Sequence, residues 1–267
     1  MPKPHHRRPN PDRPPERPQP ARSGHIIYGR HAVVAALANP ARFVHRIMAQ
    51  PETAAELKSL AAKAAARVKG DVETLTRGEL DRLMARDAVH QGFAIQTEPL
   101  PEPSLADLIA ALPPSEERQI VLLLDRVNDP HNVGAILRSA AAFAAAAVIV
   151  PEHGAPPVTG VLAKAASGAL ETVPLVRIVN IAQALETLKD SGFWSIGLDG
   201  GAKHDLHTLD LAPRVALVLG AEGEGLRRLT RERCDLLARL PTKHAWHSLN
   251  VSNAAAIALY DVATRRS

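Results

Sequence analysis

The sequence predicts an α/β protein with two unequal domains, the larger of which is built on a parallel sheet. Short apolar strands alternate with alanine-rich helical segments along most of the 267 residues, which is typical of strand–helix–strand units. In the second half the strands are unbroken apolar runs, as expected for a parallel sheet covered on both faces. A proline-rich linker separates the halves. The expected divisions are a tail 1–23, a small domain 24–98, a linker 99–117 and a large domain 118–267.

The small domain is predicted from alternating apolar strands and helices with clear end signals. Pro40 stops the first helix, because the residue before a proline avoids helical geometry. Pro51 suits the first turn of the second helix. Thr76 and Glu79 have capping-box spacing and open a third helix. The predicted elements are strand 26–29, helix 30–38, strand 44–49, helix 51–68, strand 72–75, a helix after 76 and strand 92–96.

The large domain continues the alternation after a short linker helix that begins at Ser104. Its strands are four to five residues long and rich in Val, Leu and Ile, which favours buried strands. Pro241 marks the end of the last strand, since proline cannot continue a central strand. The predicted elements are strands 120–124, 147–150, 175–178, 194–198, 215–219 and 236–240, with helices 132–143, 158–166, 181–191, a short one after 230, and 249–264.

Composition excludes several classes of protein. The longest apolar run, Ala140–Val150, has eleven residues, whereas a bilayer-spanning helix needs about 20. The single Cys234 cannot form an internal disulfide, which fits a reducing cytoplasm. The basic N-terminus has no apolar segment behind it, so it does not resemble a signal peptide. We therefore expect a cytoplasmic protein.

The net charge of +4 is concentrated at the N-terminus. Residues 1–22 hold six basic and two acidic side chains, and the rest of the chain has 26 of each. The same segment contains eight of the 22 prolines, which predicts disorder. Such an arm either contacts RNA phosphates or serves only as a solubilising tail, and the two interpretations are compatible.

The stretch from Leu240 to Ala256 is the most informative about function. Four hydrogen-bonding side chains, those of Ser248, Asn250, Ser252 and Asn253, stand at the start of an Ala/Ile/Leu helix. One capping residue normally suffices there. The excess indicates that this helix N-terminus faces a polar ligand.

Two upstream segments complete the pattern. The loop Gly220–Gly225 follows a strand and has neither G-x-G-x-x-G nor Walker spacing, which disfavours a dinucleotide or nucleotide-triphosphate site. Asp125–Ala140 contains Asn132 at a helix start and Arg138 as the one charged residue between His131 and Pro151. Taken singly, these residues fit a tight turn, an N-cap and an arginine whose stem packs while its head reaches solvent.

Together, the three segments resemble the three motifs of the SpoU family of RNA ribose 2′-O-methyltransferases, which are trefoil-knot enzymes. The closest similarity is to the branch that methylates a guanosine of the peptidyl-tRNA-binding loop of 23S rRNA. The resemblance implies S-adenosylmethionine as cofactor, 23S rRNA as partner and a homodimer formed through the knotted domain. One departure is that Thr242-Lys243-His244 stand where family members often carry Met-x-Gly.

The resemblance also implies the roles of individual residues. Those expected around the reacting ribose are Arg138, Asn132, Glu222, Ser248 and Asn250. Those expected to line the S-adenosylmethionine site are Leu198, Asp199, Gly200, Gly201, Gly220, Leu240 and Leu249. Because guanidinium stays protonated in proteins, Arg138 is better suited to orient the 2′-hydroxyl and a phosphate than to act as a literal base.

Two short segments of the small domain, 28–33 and 89–92, resemble the start and end of the family's RNA-binding domain; by themselves they are strand ends with turn residues.

Histidine pairs at 204/207 and 244/247 are expected to face solvent, since no cysteine or carboxylate framework accompanies them. No metal is therefore predicted. Two alternatives remain: the same chemistry on tRNA or another rRNA site, and a non-catalytic RNA-binding or ribosome-assembly factor.

Overall fold

The computed structural model describes residues 25–85, 88–113, 118–243 and 249–265. The predicted tail therefore lies outside the described residues. The small domain is a mixed sheet in the order β1-β5-β2-β3, with β4 beside β2. Its elements are β1 His25–Tyr28, α1 Arg30–Ala38, β2 Phe43–Ala49, α2 Ala54–Ala62, β3 Arg67–Val68, β4 Val72–Thr74, α3 Arg77–Arg82 and β5 Phe93–Thr97.

The large domain is built on a sheet whose order is β10-β12-β9-β11-β6-β7-β8, and every one of these pairings is parallel. This confirms the predicted α/β class and its parallel sheet. The elements are α4 Leu105–Ala111, β6 Gln119–Asp125, α5 Pro130–Ala142, β7 Ala147–Pro151, α6 Gly160–Ala166, β8 Leu175–Ile178, α7 Ile181–Asp190, β9 Trp194–Leu198, β10 His204–Asp205, β11 Arg214–Gly220, α8 Arg228–Arg233, β12 Leu236–Arg239 and α9 Val251–Thr264.

Strands that follow one another along the chain are not always neighbours in this sheet, and the last strand, β12, is followed by the segment that leads into α9. Residues 244–248 of that segment lie outside the described residues. The knot implied by the family resemblance therefore stays a prediction. Among the helices of the described segments, none is both long and apolar enough to cross a membrane.

Helix starts follow local capping chemistry. The Thr76 side chain accepts from the backbone N–H of Glu79, and the Glu79 carboxylate accepts from Thr76 in return. The predicted capping box is thus confirmed, and Ser104 forms a second one with Asp107. Reciprocal caps satisfy backbone donors that a helix start otherwise leaves unpaired.

Several predicted helix ends are wrong. The helix predicted for 51–68 spans only Ala54–Ala62, because the chain turns back and residues 67–68 pair with β2. Alanine propensity favours a longer helix, but strand pairing overrides it. The helix carrying Asn132 begins at Pro130 with Asp129 as its cap, so Asn132 lies in the first turn. The last helix begins at Val251 and is capped by Asn250.

The small and large domains share one apolar core that runs from β1 and α1 across to α5 and α6. Gly160 of α6 lies so close to β1 that an added Cβ would stand 2.5 Å from the Ile26 carbonyl oxygen. Beside this contact, Arg42 of the small domain donates to both carboxylate oxygens of Glu171. These two side chains are only 3% and 5% exposed, so the ion pair is part of the buried contact between the domains.

Candidate active site

A cleft of about 620 Å³ opens at the carboxyl ends of β9, β11 and β12. In α/β sheets this edge is where ligands usually bind, and the volume lies within the range of small-molecule and cofactor sites. We call it the sheet-edge cleft. Among its lining residues are six that the sequence assigned to cofactor binding, namely Leu198, Asp199, Gly200, Gly220, Leu240 and Leu249. Gly201 is not part of the lining.

One wall of the sheet-edge cleft is the loop after β11. Its ends are tied by an Ala221–Gly225 bridge, in which the Gly225 N–H donates to the Ala221 carbonyl at 2.9 Å. Gly220 is packed against this bridge, and an added Cβ would be 2.1 Å from the Gly225 carbonyl carbon. The structure therefore requires glycine at position 220 for the loop's own closure, beside any ligand.

The opposite wall is the turn after β9. The Asp199 carboxylate accepts from the Gly201 N–H at 2.8 Å and forms an ion pair with Arg231 at 2.6 Å. Gly201 thus shapes this wall through Asp199. At Gly200 an added Cβ would meet no atom within 4 Å. This position borders free space in the cleft.

A polar cluster stands at the end of the loop wall, where three predicted residues meet. The Asn250 amide donates to Asn132 Oδ1 at 3.0 Å and to Glu222 Oε1 at 2.5 Å, and Asn132 donates to the same Glu222 oxygen at 3.1 Å. We call these three residues the amide–carboxylate cluster. Each comes from a different motif segment, so the fold brings together residues about 120 positions apart.

The cluster is anchored to the start of α9. Asn250 Oδ1 accepts from the Ser252 N–H at 2.9 Å and from the Ser252 hydroxyl at 2.6 Å. The N–H of Val251 adds a third donor to Glu222 Oε1 at 3.3 Å. A carboxylate at a helix N-terminus is stabilised by the helix dipole. All three donors contact Oε1 of the carboxylate, and Glu222 is an exposed residue.

Arg138 lies on α5, six residues beyond Asn132, which places it about 9 Å further along the axis and about 120° around it. Its side chain is exposed, and its guanidinium has no partner among the residues that the structure describes. Ser248 lies outside the described residues, as do His244 and His247. His204 and His207 are exposed.

Sequence reasoning missed the charged residues that pair beside the loop carrying Glu222. Asp125, the last residue of β6, holds Arg227, and the next residue, Arg126, pairs with Glu224. These contacts join the first and second motif segments. The sequence did show a carboxylate at the end of a strand and, far along the chain, arginines just after a glycine-rich loop. The order of strands that brings them together cannot be read from residue spacing.

Cys234 is excluded from the chemistry. Burial raises the pKa of its thiol to about 12, with the nearby carboxylates of Asp235 and Asp125 adding to the shift. The thiolate, which is the nucleophilic form, is therefore absent at physiological pH.

The two segments singled out in the small domain lie side by side at one end of β1 and β5. The Gly29 N–H donates to the Phe93 carbonyl at 3.0 Å, and the Arg30 N–H donates to the Gln91 side chain at 3.3 Å. Gly29 and Gln91 both have positive φ, at 89° and 57°. Arg30 and Gln91 are exposed at this end.

Comparison with known proteins accords with this geometry. Residues 119–260 match the SpoU rRNA Methylase family, and residues 26–103 match a model described as RNA 2'-O ribose methyltransferase substrate binding. The chain belongs to the SpoU family. The resemblance drawn from the three motifs is thereby confirmed.

Among curated SpoU-family relatives, the chain is similar to the 23S rRNA (guanosine-2'-O-)-methyltransferase RlmB of Vibrio cholerae. The two are 40% identical over 91% of this chain and 98% of the relative. It is also 41% identical to RlmB of Coxiella burnetii, over 90% of this chain and 95% of the relative.

The fold is that of a solved SpoU methyltransferase, AviRb from Streptomyces viridochromogenes, in complex with the cofactor AdoMet. The TM-score is 0.73 with 23% identity, over 90% of this chain and 89% of AviRb. The likeness confirms that both domains are arranged as in this family fold.

Proposed function

We propose that this protein methylates the ribose 2′-hydroxyl of a guanosine in 23S rRNA, in the peptidyl-tRNA-binding loop, with S-adenosylmethionine as methyl donor. The relatives that are 40% identical over almost their whole length support the substrate. The observation that carries the proposal is the amide–carboxylate cluster at the mouth of the sheet-edge cleft. The cleft and the cluster together combine a pocket for a cofactor with polar groups for a ribose.

The sheet-edge cleft suits S-adenosylmethionine in size and lining. Leu198, Leu219 and Leu240 supply apolar surface, and the backbone of the Gly220 loop is accessible for hydrogen bonds. Glycines allow such close approach because they have no Cβ. When bound, S-adenosylmethionine supplies an electrophilic methyl group on a sulfonium. The residues at hand therefore fit the cofactor, and its binding needs no metal.

The polar side chains then have to position the ribose hydroxyl and receive its proton. Asn132 and Asn250 hold Glu222 in one orientation, which leaves one carboxylate oxygen to accept a hydrogen bond from the hydroxyl. We assign Arg138 to the neighbouring phosphate and to the negative charge that develops on the ribose oxygen. Ser248 is assigned to the same site by its motif position. Accurate placement accounts for much of the expected acceleration.

The domain assignment proposed here follows from the same reasoning. Residues 24–98 recognise RNA through the end of β1 and β5, 99–117 link the domains, and 118–267 perform the transfer. The family-model matches at 26–103 and 119–260 support this division. The single cysteine, Cys234, fits action in a reducing cytoplasm.

A homodimer through the large domain is part of the proposal. Ile257 and Tyr260 on α9 are 46% and 60% exposed and lie on one helix face. Phe143, at the end of α5, extends this face with its ring centroid 6.1 Å from that of Tyr260. An exposed apolar stripe of this kind is typical of an association surface.

The purified protein is expected to transfer labelled methyl groups from S-adenosylmethionine to unmethylated 23S rRNA. The product should be 2′-O-methylguanosine at one position, mapped by mass spectrometry of nuclease fragments. Parallel reactions contain bulk tRNA or 16S rRNA as alternative substrates. Labelling of tRNA alone would contradict the proposed substrate, and cofactor binding without transfer to any RNA would contradict the proposed activity.

Deletion of residues 1–22 is expected to weaken RNA binding and flatten its salt dependence, since this segment holds the whole positive excess. The slope of log affinity against log salt should become shallower by about 0.7 for each single-strand phosphate that the tail neutralises. The dimer, measured by light scattering, and cofactor affinity should be unchanged. Equal slopes for full-length and truncated protein would show that the tail binds no phosphate.

A further inference from the structure

A buried carboxylate lies beside the sheet-edge cleft and is not among the residues assigned to the reaction. Asp125 ends β6, and its side chain is 0% exposed. It accepts from the Arg227 backbone N–H at 3.0 Å through one oxygen and from Arg227 Nε at 2.6 Å through the other. A buried charge of this kind is retained only when it is paired and hydrogen-bonded.

The partner of this carboxylate is half-exposed. The Arg227 side chain is 46% exposed, and its Nη1 and Nη2 groups donate to no described residue. Since Nε is held by Asp125, the guanidinium plane is fixed while its outer edge stays available. Two parallel N–H groups on that edge match the geometry of a phosphate.

Arg227 emerges at the same edge of the sheet as the amide–carboxylate cluster. Asp125 pairs in register with Gly220 on the neighbouring strand. The loop that carries Glu222 is closed by its Ala221–Gly225 bridge, and Arg227 follows two residues later. The free guanidinium edge therefore lies just beyond the loop that carries Glu222, at the same end of the sheet.

We propose that Arg227 binds a phosphate of the RNA strand that carries the target ribose, and that Asp125 holds it in position for this contact. The inference rests on the proposed methyltransferase function and adds a positioning residue to it. Charge supports it, because the exposed carboxylate of Glu222 in the cluster repels an incoming phosphate chain, whereas the carboxylate of Glu224 is paired with Arg126. A cation presented at this point offsets that repulsion.

The next residue provides a natural comparison. Arg228 is 75% exposed and donates through Nη1 to both carboxylate oxygens of Glu232, one turn along its own helix. It carries the same charge as Arg227, but its outer nitrogen is already engaged. Replacement of either arginine by glutamine therefore removes one charge, whereas only Arg227→Gln removes a preset phosphate contact.

The test measures KM for an rRNA fragment, the salt slope of RNA affinity and the affinity for S-adenosylmethionine in wild type, Arg227→Gln and Arg228→Gln. Arg227→Gln is expected to raise KM about tenfold and to reduce the slope by about 0.7, the value for one single-strand phosphate. Cofactor affinity and kcat at saturating RNA should stay within about twofold of wild type. Arg228→Gln should change KM less than about twofold.

Asp125→Asn and Arg227→Lys separate the orientation of the side chain at position 227 from its charge. They also replace Arg227→Gln if that variant does not fold. Both keep the positive charge but lose the fixed fork, so each should raise KM while leaving the salt slope near wild type. Wild-type KM in all Arg227 variants, equal effects of Arg227→Gln and Arg228→Gln, or a loss confined to cofactor affinity would overturn the inference. A wild-type protein that methylates no RNA would instead refute the proposed function.

Discussion

Replacement of Arg138 by alanine is expected to reduce kcat by at least about a hundredfold, which corresponds to about 2.7 kcal/mol of lost transition-state stabilisation. The reason is its exposed guanidinium, which has no partner within the described segments, on the helix that also carries Asn132. Affinity for S-adenosylmethionine should remain near wild type, since Arg138 does not line the sheet-edge cleft. Single-turnover methylation of an rRNA fragment measures the effect.

Arg233→Ala is the control, because Arg233 is also exposed and its ion pair with Glu186 joins α8 to α7, away from the cluster. It should transfer methyl groups at the wild-type rate. Near-normal turnover of Arg138→Ala would mean that the stem of this arginine merely packs while its charged head reaches solvent. A fall in melting temperature without a change in rate would lead to the same conclusion.

Gly220→Val is expected to abolish measurable binding of S-adenosylmethionine in titration calorimetry. The sequence alone predicts this result because valine would occupy the ligand's space without unfolding the protein. The structure changes that reason: the added Cβ would overlap the Gly225 backbone at 2.1 Å, so the loop wall itself must move. Loss of binding in this variant alone therefore tests the loop's shape rather than the ligand's position.

Gly200→Leu separates the two effects. Position 200 lines the cleft, and an added Cβ meets nothing within 4 Å. Leucine there should weaken cofactor binding at least tenfold while leaving the melting temperature unchanged. Gly78→Leu is the control, since Gly78 is equally unobstructed but lies in α3 of the small domain. Wild-type cofactor affinity in both Gly200→Leu and Gly220→Val would show that the cofactor does not bind in this cleft.

Those parts of the fold that depend on residues close together in the sequence were predictable from it. The apolar runs of the large domain predicted a parallel sheet, and the Thr76–Glu79 spacing predicted a capping box that the structure contains. Helix ends were less predictable, because they depend on where the chain next pairs. Alanines after residue 62 favour helix, yet pairing of Val68 with Val44 ends it earlier.

The candidate site follows the same division. Asn132, Glu222 and Asn250 were identified by their motif positions, and the structure places them within hydrogen-bonding distance. Their assignment as ribose-binding residues stays a prediction. Asp125 and Arg227 were missed because they are 102 residues apart. Only the register of β6 against β11 brings the buried carboxylate to the arginine, and a register of this kind has no local sequence signature.

The buried Arg42–Glu171 pair has a consequence for which RNAs are selected. The pair belongs to the buried contact between the two domains, together with their shared apolar core. This contact sets the distance between the exposed end of β1 and the sheet-edge cleft. An RNA that touches both points must present its target nucleotide at that one separation. Under the proposed function, selection would then depend on the folded architecture of an rRNA loop more than on the identity of a single base. A free nucleoside, which spans no such distance, would make only one of these two proposed contacts.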